Sequence, residues 1–401
     1  MGARVKATYD WDRLLARRTS GIHAWTKVDV SHIFTTPGVI YFGDGAPSRT
    51  MMPIQELRQA HAHAWEDAGN ILSYGESLGH QPLREEITRR MAVRGSQVDP
   101  ETVLVTNGSQ QGLDLIGRVL LEDGDVVVVE GPTYFGALQA FDAYQVQYRV
   151  ADVDERGLVP EALEAAFAAE PRPKILYTIP TFQNPTGTTL GDDRRQQVID
   201  LARSYGVIIV EDDPYGDMYF GEAPTPPLRA LDDHVVYLGT FSKTLAPALR
   251  MGWMAVPERL FQALAHSKEA IDIMSDRFQQ RAVAEVASGG ALDLRLDEAR
   301  VYYRGRRDRM LAGLARECAE WLTWTVPQGG FFLWASVPEG RSSEQLLDVA
   351  LQHQVGFLPG SCFFPDPQPH RGFRLAYPTL DDATIDLGMQ RLGAALEEAF
   401  G

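Results

Sequence analysis

The sequence contains very little cysteine. Cys318 and Cys362 are the only two thiols among its 401 residues. Two thiols are too few for a disulfide framework or a four-thiolate metal site, so we expect both side chains to be buried and unreactive. We therefore predict neither structural disulfides nor a bound metal.

Long apolar segments are also missing. No stretch approaches the roughly 18 consecutive apolar residues of a membrane-spanning helix. The basic residues near the N-terminus, in MGARVKATYDWDRLLARR, have no apolar run behind them, which is unlike a secretory signal. From these two absences we expect a cytoplasmic protein with no membrane partner.

Positive charge is in short supply. The chain has 38 Lys and Arg against 54 Asp and Glu, so its formal net charge is −16. A field of this sign repels nucleic acids and anionic lipids, and we expect neither as a partner. A small anion can still bind where basic side chains or free backbone N–H groups are concentrated.

The composition is otherwise that of a folded protein of two or three domains. Short runs rich in Val and Ile alternate with amphipathic helical segments, most clearly at 125–131, 174–180, 207–215 and 235–243. Such runs are typical of strands buried on both faces of a mostly parallel sheet. We predict an α/β fold with a large domain at 46–285 and a smaller α+β domain at 286–401, which the segment 1–45 joins.

Polar residues follow the predicted strands at several places. Because ligands of an open parallel sheet bind at the carboxyl ends of its strands, these residues are expected to form one site. The segments concerned are 106–110, 132–134, 184–187, 212–215 and 242–243.

Each segment also has an ordinary interpretation. Ser109 or Asn107 could cap a helix, rather than mark a helix start that binds phosphate. A buried Asp212 needs a cationic partner, which a protonated ring nitrogen, a metal ion or an arginine would equally provide. Asn184 fits the start of an Asn-Pro turn. Lys243 fits a surface lysine in a common Ser-Lys dipeptide.

Four motifs in a fixed order make the interpretation more specific. They are Asn184-Pro185-Thr186-Gly187, Asp212 with Tyr215, Ser242-Lys243, and Arg250 before Gly252. With this order and spacing the chain, from about Ile22 to its C-terminus, resembles the pyridoxal-phosphate-dependent aminotransferases of fold type I, class I/II. The resemblance implies a seven-stranded-type sheet and pyridoxal 5′-phosphate as cofactor. It also implies amino transfer from an L-α-amino acid to a 2-oxo acid, 2-oxoglutarate or pyruvate, by a ping-pong Schiff-base mechanism.

The resemblance assigns catalytic roles to Lys243, Asp212 and Tyr215. Lys243 would bond to the cofactor aldehyde and, once released, move a proton between the substrate Cα and the cofactor. Asp212 would keep the pyridine nitrogen protonated. Tyr215 and Asn184 would hydrogen-bond the phenolic oxygen of the ring, and Tyr134 would stack on its face.

The resemblance also assigns the remaining parts of the cofactor and the substrate. Arg374 would bind the substrate α-carboxylate, with Gly45 and Asn184 beside the substrate. Tyr74 would reach the phosphate across a dimer interface, which implies a homodimer with shared active sites, and Ser275 would also come from the partner. The phosphate would be held within one chain by Ser109, the Gln110 backbone, Ser242 and Arg250.

Within the family the chain most resembles the 2-aminoadipate, kynurenine and aromatic aminotransferase branch, and it departs from that pattern at the far end of the substrate. Members that act on acidic side chains can carry an arginine in the N-terminal segment, and this chain has none between Arg18 and Arg49. Lys27 could replace it only as a point charge. Asp44 stands where related sequences usually have a small neutral residue. It is either a solvated turn residue or, with Asp29 as the alternative, the partner of a basic or polar side chain.

Two other functions remain open from the sequence. The motifs identify the cofactor more firmly than the outcome of the reaction, since one fold hosts β-lyases, decarboxylases and amino-acid oxidases or deaminases as well. The other is a non-catalytic effector domain of a regulator. Such proteins usually carry a DNA-binding domain ahead of this fold, and about 45 residues precede the predicted core here.

Overall fold

The computed structural model describes residues 9–23 and 26–401. Within these ranges the strands are β1 (Ile40–Tyr41), β2 (Val103–Thr106), β3 (Val126–Gly131), β4 (Gln147–Asp154), β5 (Gly157–Leu158), β6 (Ile175–Thr178), β7 (Ile208–Asp212), β8 (Val236–Thr240), β9 (Gly252–Ala255), β10 (Thr323–Trp324), β11 (Phe332–Ser336), β12 (Val355–Gly356), β13 (Leu358–Pro359) and β14 (Gly372–Ala376). The helices are α1 (Trp11–Leu14), α2 (Ser31–Thr35), α3 (Ile54–Glu66), α4 (Ala68–Ile71), α5 (Gln81–Val93), α6 (Ser109–Leu120), α7 (Phe135–Asp142), α8 (Pro160–Ala168), α9 (Asp192–Tyr205), α10 (Leu228–Leu231), α11 (Glu258–Asp272), α12 (Arg277–Ser288), α13 (Ala291–Glu317), α14 (Ser343–Gln352) and α15 (Asp382–Phe400). In these described ranges no helix is both long enough and apolar enough to cross a membrane.

The largest sheet has the strand order β2-β9-β8-β7-β6-β3-β4-β5. Strands β8, β7, β6, β3 and β4 pair in parallel. Strand β9 is antiparallel to both of its neighbours, β2 and β8. The two-residue β5 adds to the edge as an antiparallel partner of β4. The predicted α/β fold with a mostly parallel sheet is therefore confirmed, with seven strands and this short addition.

Several strands of this sheet are fully buried because helices cover both of its faces. Every residue of β2, β6 and β8 is buried, and this is why their sequences read as continuous apolar runs without alternation. Helix α6 packs Leu113, Leu115 and Ile116 against one face, in the same cluster as strand residues such as Val127. This packing fixes the start of α6 at the carboxyl edge of the sheet.

Strands β4 and β9 are absent from the sequence prediction. Most residues of β4 are exposed or half-buried, so the strand lacks a continuous apolar run. Strand β9 begins two residues after Arg250, which has a left-handed φ of +49°, and it is only four residues long. Strand β6 is equally short, but β9 begins with glycine and contains no Val, Ile or Thr, so it lacks the composition by which a buried strand is recognised.

The C-terminal part of the chain forms a second, antiparallel sheet. Its order is β10-β11-β14-β13, and β14 lies in its interior. Strand β1 pairs in parallel with β12, which ties residues 40–41 to this part of the molecule. The predicted boundaries at 46, 285 and 286 stay a prediction.

Candidate active site

The carboxyl ends of the parallel strands open onto a cavity of about 740 Å³. It lies where β3, β6, β7 and β8 end and where α6 begins, so the segments that the sequence singled out converge there. Of the predicted site residues, the cavity is lined by Asp44, Gly45, Ser109, Gln110, Tyr134, Asn184, Asp212, Tyr215, Ser242, Lys243, Arg250 and Arg374.

Lys243 lies in this cavity three residues after the end of β8. Its Nζ donates a 2.9 Å hydrogen bond to the carbonyl oxygen of Gly45. Burial and the Arg374 guanidinium lower the pKa of Lys243 to about 8, against the opposite effect of the Asp44 and Asp212 carboxylates. A lysine with this pKa is partly neutral at physiological pH, so its amine can act as a nucleophile and as a proton acceptor.

Asp212, the last residue of β7, is a buried carboxylate with one free oxygen. Its Oδ2 accepts a 2.8 Å hydrogen bond from the Tyr177 hydroxyl, while Oδ1 has no hydrogen-bond partner in the described part of the chain. Burial raises the pKa of Asp212 to about 7. The adjacent Asp213, by contrast, forms an ion pair with Arg94 and accepts from the Tyr237 hydroxyl. Asp212 therefore offers an acceptor that lacks the cationic partner a buried carboxylate requires.

The start of α6 is a cluster of free backbone donors. Gly108, with a φ of +78°, precedes the helix, and no side chain caps the first N–H groups. A Cβ atom at Gly252 would lie 2.8 Å from the Ser109 nitrogen, so this close approach of two backbones requires glycine. The Arg250 guanidinium packs against Gly108, and its hydrogen bonds within the described residues go only to backbone carbonyl oxygens. A helix start with an arginine that lacks an acidic partner suits a phosphate.

Ser242 and Gln110 border the same region. The Ser242 hydroxyl accepts a 2.9 Å hydrogen bond from the Thr240 hydroxyl, and the Ser242 N–H donates to that Thr240 oxygen. The side-chain amide of Gln110 donates to the carbonyl oxygen of Gly136. This hydrogen bond holds the side chain of Gln110 in place. The backbone of Gln110 forms part of the first turn of α6.

Arg374, on β14, is a buried guanidinium without a carboxylate partner among the described residues. It donates hydrogen bonds of 2.9 Å to Asn184 Oδ1 and 2.7 Å to the carbonyl oxygen of Gly43. Its Nε has no partner in that same set, and the Phe332 ring lies 4.0 Å from the guanidinium carbon. Burial lowers the pKa of Arg374. A buried cation in this state is a receptor for an anion, and its planar fork matches a carboxylate.

Tyr134 and Tyr215 bring aromatic rings and hydroxyl groups to the cavity. The Tyr215 ring packs edge-on against Phe331 and Phe332, with centroids 5.5 and 5.7 Å apart. Burial raises the pKa of Tyr215 and raises that of Tyr134 to about 12. Both hydroxyls are therefore protonated at neutral pH and can donate hydrogen bonds.

Two of the predicted residues lie away from this cavity. Tyr74 is 81% exposed on the surface. Ser275 is buried, and its hydroxyl donates a 3.4 Å hydrogen bond to the carbonyl oxygen of Val105. The roles expected for Tyr74 and Ser275 need a second copy of the chain, and they stay predictions.

Of the three charged residues considered for the far end of the substrate, only Asp44 borders the cavity. Lys27 forms a 3.0 Å ion pair with Asp142. Asp29 accepts a 2.9 Å hydrogen bond from the Ser31 N–H at the start of α2. Neither residue belongs to the lining of the cavity. The structure therefore favours Asp44 over Asp29 and gives Lys27 a different partner.

Sequence reasoning missed Tyr177 and Gly43. Tyr177 stands in the apolar run of β6, and its hydroxyl orients Asp212. A tyrosine within a buried strand needs a hydrogen-bond partner, so this signal was available in the sequence. Gly43 acts through its backbone carbonyl, which accepts from Arg374, and no residue pattern announces such a contact.

These groups fit pyridoxal phosphate. The free Asp212 oxygen matches a protonated ring nitrogen, and the uncapped start of α6 with Arg250 matches a phosphate. The Lys243 amine, with its lowered pKa, matches an aldehyde. One cavity of sufficient size brings all three together.

Comparison with known proteins agrees with this interpretation. The family model for aminotransferase class I and II matches residues 37–392. The chain is 35% identical to aromatic-amino-acid aminotransferase 1 of Thermococcus litoralis, over 98% of this chain and 96% of the relative. It is 36% identical to the 2-aminoadipate transaminase of Thermus thermophilus, over 96% and 97%. The crystal structure of Pyrococcus horikoshii kynurenine aminotransferase, in complex with PMP, superposes with a TM-score of 0.92 at 35% identity, over 98% of this chain and 99% of that one. The chain therefore belongs to the aminotransferase class I and II family and is a pyridoxal-phosphate-dependent aminotransferase.

Proposed function

We propose that the chain transfers an amino group from an L-α-amino acid to a 2-oxo acid, pyruvate or 2-oxoglutarate, in two half-reactions at this cavity. The position of Lys243 carries the proposal. Its amine, with a pKa near 8, shares the cavity with the free carboxylate oxygen of Asp212 and with the Arg374 guanidinium. An amine, an acid and a carboxylate receptor are the groups that amino transfer requires.

Bound pyridoxal phosphate supplies an aldehyde that bonds amines and a ring that withdraws electrons from the substrate Cα. Asp212 Oδ1 is the acceptor available to the ring nitrogen. The Tyr215 hydroxyl and the Asn184 amide are the donors for the phenolic oxygen, and Tyr134 is the aromatic ring for stacking. The phosphate would be held by Ser109, the Gln110 backbone, Ser242 and Arg250.

Lys243 is the group that moves the proton. Once the substrate amine has displaced Lys243 from the cofactor aldehyde, the neutral Nζ would take the proton from the substrate Cα and become an ammonium group. The same ammonium group would then return a proton to the former aldehyde carbon of the cofactor, and not to the substrate Cα, so that the nitrogen stays with the cofactor. A pKa of about 8 suits both directions, because neither the neutral nor the charged form is costly to reach at neutral pH.

Arg374 binds the α-carboxylate, and its replacement by lysine tests this role. In Arg374→Lys we expect kcat/KM for the amino acid to fall roughly 10²–10³-fold, because an ammonium group cannot make the bidentate contact of the guanidinium. The dissociation constant of pyridoxal phosphate stays within about twofold, since Arg374 is not a phosphate ligand. Steady-state kinetics and titration of the apoprotein measure the two quantities.

Arg371→Lys is the matched control for this substitution. Arg371 lies three residues earlier, outside the cavity, and donates to the carbonyl oxygen of Val337. We expect its kcat/KM to stay near the wild-type value. A loss of cofactor affinity in Arg374→Lys as large as the loss in kcat/KM would contradict the assignment.

The proposed function includes a homodimer with shared active sites. Large apolar side chains are exposed around Tyr74, namely those of Trp65, Leu72 and Ile273. The Arg277 guanidinium orders this surface, because it binds the carbonyl oxygens of residues 70, 73 and 74. An ordered apolar patch of this kind supports an interface between two copies of the chain.

Tyr74→Phe tests the shared site. Removal of a hydroxyl that reaches the phosphate of the partner's site is expected to raise the dissociation constant of pyridoxal phosphate about tenfold. Sedimentation should show an unchanged dimer. Tyr205→Phe is the control, because Tyr205 packs in the core formed by α8 and α9 and is not part of the cavity lining, and it is expected to leave both values unchanged. A dimeric Tyr74→Phe with wild-type cofactor affinity would show that Tyr74 does not reach the phosphate.

A half-reaction assay tests amino transfer itself. The pyridoxal form of the enzyme is mixed with single amino acids, and its absorption is followed as it converts to the pyridoxamine form. We expect one equivalent of 2-oxo acid per site, and recovery of the starting spectrum when a 2-oxo acid is added. Release of ammonia or carbon dioxide without conversion of the cofactor would indicate a lyase, deaminase or decarboxylase instead.

We also place the enzyme in the cytoplasm and keep the division at 1–45, 46–285 and 286–401. The two cysteines, Cys318 and Cys362, are free and buried, which suits a reducing compartment. The pairing of β1 with β12 supports an N-terminal segment that joins the smaller domain.

A further inference from the structure

The charges around the cavity leave one acidic group without a role. In the described ranges, the charged residues of the lining are Asp44, Asp212, Lys243, Arg250 and Arg374. The proposed function uses the last four for the ring nitrogen, the proton, the phosphate and the α-carboxylate. Asp44 is left over, so the only spare charge that the described residues contribute to the cavity is negative.

Asp44 stands between two residues that contact the reacting groups. The carbonyl oxygen of Gly43 accepts a 2.7 Å hydrogen bond from Arg374, and that of Gly45 accepts a 2.9 Å bond from Lys243 Nζ. The segment 43–45 thus touches both the receptor for the α-carboxylate and the group that takes the Cα proton. A substrate held between Arg374 and Lys243 would therefore lie alongside this segment.

The Asp44 carboxylate is available to a ligand. Its Oδ1 accepts a 2.9 Å hydrogen bond from the Ala46 N–H, a local turn contact that leaves the charge uncompensated. No ion pair involves Asp44 within residues 9–23 and 26–401. Its charge is felt inside the cavity, because it raises the pKa of Lys243 against the effect of burial.

The proposed dimer contact does not bring a positive charge to the cavity that would offset Asp44. The segment that carries Tyr74 also carries Glu76, whose carboxylate pairs with Arg84. The Arg277 guanidinium next to it is engaged by backbone carbonyl oxygens. The segment that would enter the partner's site therefore supplies no spare cation for a second carboxylate of the substrate.

We propose that Asp44 makes the enzyme selective for amino donors whose side chain ends in a cation, and for acceptors without a second carboxylate. A cationic side chain finds an uncompensated carboxylate next to the substrate Cα. A side-chain carboxylate, as in 2-aminoadipate or 2-oxoglutarate, meets a like charge there and no free cation. This inference rests on the proposed amino transfer and deepens it.

The test compares donors of similar length and different charge. Wild-type holoenzyme is mixed with L-lysine, L-norleucine or L-2-aminoadipate, and the half-reaction rate constant per unit concentration is measured. We expect L-lysine to exceed L-norleucine about tenfold and L-norleucine to exceed L-2-aminoadipate about tenfold, as for a partly solvated charge pair. From the amino form of the enzyme, pyruvate is expected to react faster than 2-oxoglutarate.

Asp44→Asn removes the charge and keeps the turn, because the amide oxygen can still accept from the Ala46 N–H. The lysine-to-norleucine ratio should fall about tenfold, and the pyruvate-to-2-oxoglutarate ratio should fall with it. Asp29→Asn is the matched control, since Asp29 makes the same i to i+2 backbone contact away from the cavity. Its ratios should equal those of the wild type.

The outcomes separate this inference from the proposed function. If Asp44→Asn changes the rates of all donors by one common factor, Asp44 acts on Lys243 alone and selectivity by charge is refuted. The same follows if wild-type enzyme prefers L-2-aminoadipate. If no amino acid converts the cofactor at all, the proposed amino transfer fails first. Faster turnover of cationic donors that depends on Asp44 supports the inference.

Discussion

Replacing Lys243 with alanine abolishes turnover. The variant loses both the group that bonds to the cofactor and the group that moves the Cα proton, so we expect the rate to fall by at least about 10⁴-fold. The absorption of the covalently bound cofactor disappears, while the circular dichroism spectrum keeps its α/β form. Absorption spectra of the reconstituted protein and single-turnover kinetics measure the two losses.

Lys174→Ala is the control for this loss. Lys174 is a surface lysine that pairs with Asp125 at 2.7 Å, on the chain segment just before β6. We expect its spectrum and rate to match the wild type. A Lys243→Ala protein that retained the absorption of bound cofactor and turned over amino acids would assign both tasks to another residue.

Replacing Asp212 with asparagine separates catalysis from stability. The substitution keeps the shape of the side chain and its contact with Tyr177, and it removes the negative charge that the ring nitrogen requires. We expect turnover to fall roughly 10²–10⁴-fold, with pyridoxal phosphate still bound covalently at Lys243. Single-turnover kinetics and the absorption of the bound cofactor measure this.

The difference in the free energy of unfolding between the Asp212→Asn and wild-type apoproteins is expected to depend on pH. The pKa of Asp212 is raised from 3.8 to about 7 in the folded apoprotein, so the folded state binds an additional proton between these values. The stabilisation from this proton is complete below about pH 4 and is lost as the pH rises through 7. At pH 8 the variant should therefore be more stable than wild-type apoprotein, by roughly 2–4 kcal/mol, and near pH 4 the difference should vanish.

Asp213→Asn gives the opposite pattern and serves as the comparison. It breaks the ion pair with the partly buried Arg94 and weakens the contact with Tyr237. The free energy of unfolding should fall by about 3–5 kcal/mol, because a cation is left without its partner. Denaturant titrations of both apoproteins decide between the patterns. If Asp212→Asn and Asp213→Asn destabilised the apoprotein equally, the conclusion that Asp212 Oδ1 has no partner in the folded apoprotein would be wrong.

The sheet was predictable where burial is uniform. Strands such as β3 and β8 are covered on both faces, so their apolar runs stand out from the helices around them. Strands β4 and β9 were not predictable, because β4 is partly exposed and β9 begins with glycine and contains no Val, Ile or Thr. Tertiary pairing, rather than local pattern, determines these two strands.

The site residues that follow the ends of the parallel strands were predictable from the sequence. Asp212 and Lys243 follow buried runs, and the topology brings such residues to one edge. Arg374 lies more than one hundred residues beyond them, on another sheet, and was assigned only through the family resemblance. The carbonyl of Gly43, which binds Arg374, has no counterpart in side-chain chemistry and could be found only in three dimensions.

The lysine to which the cofactor is covalently attached can be identified directly. Holoenzyme is reduced with borohydride, digested, and mapped by mass spectrometry for the peptide that carries the phosphopyridoxyl group. We expect a single modified peptide that contains Lys243, and no modification in Lys243→Ala. Modification of a different lysine, such as Lys268 or Lys174, would contradict the assignment of this cavity as the active site.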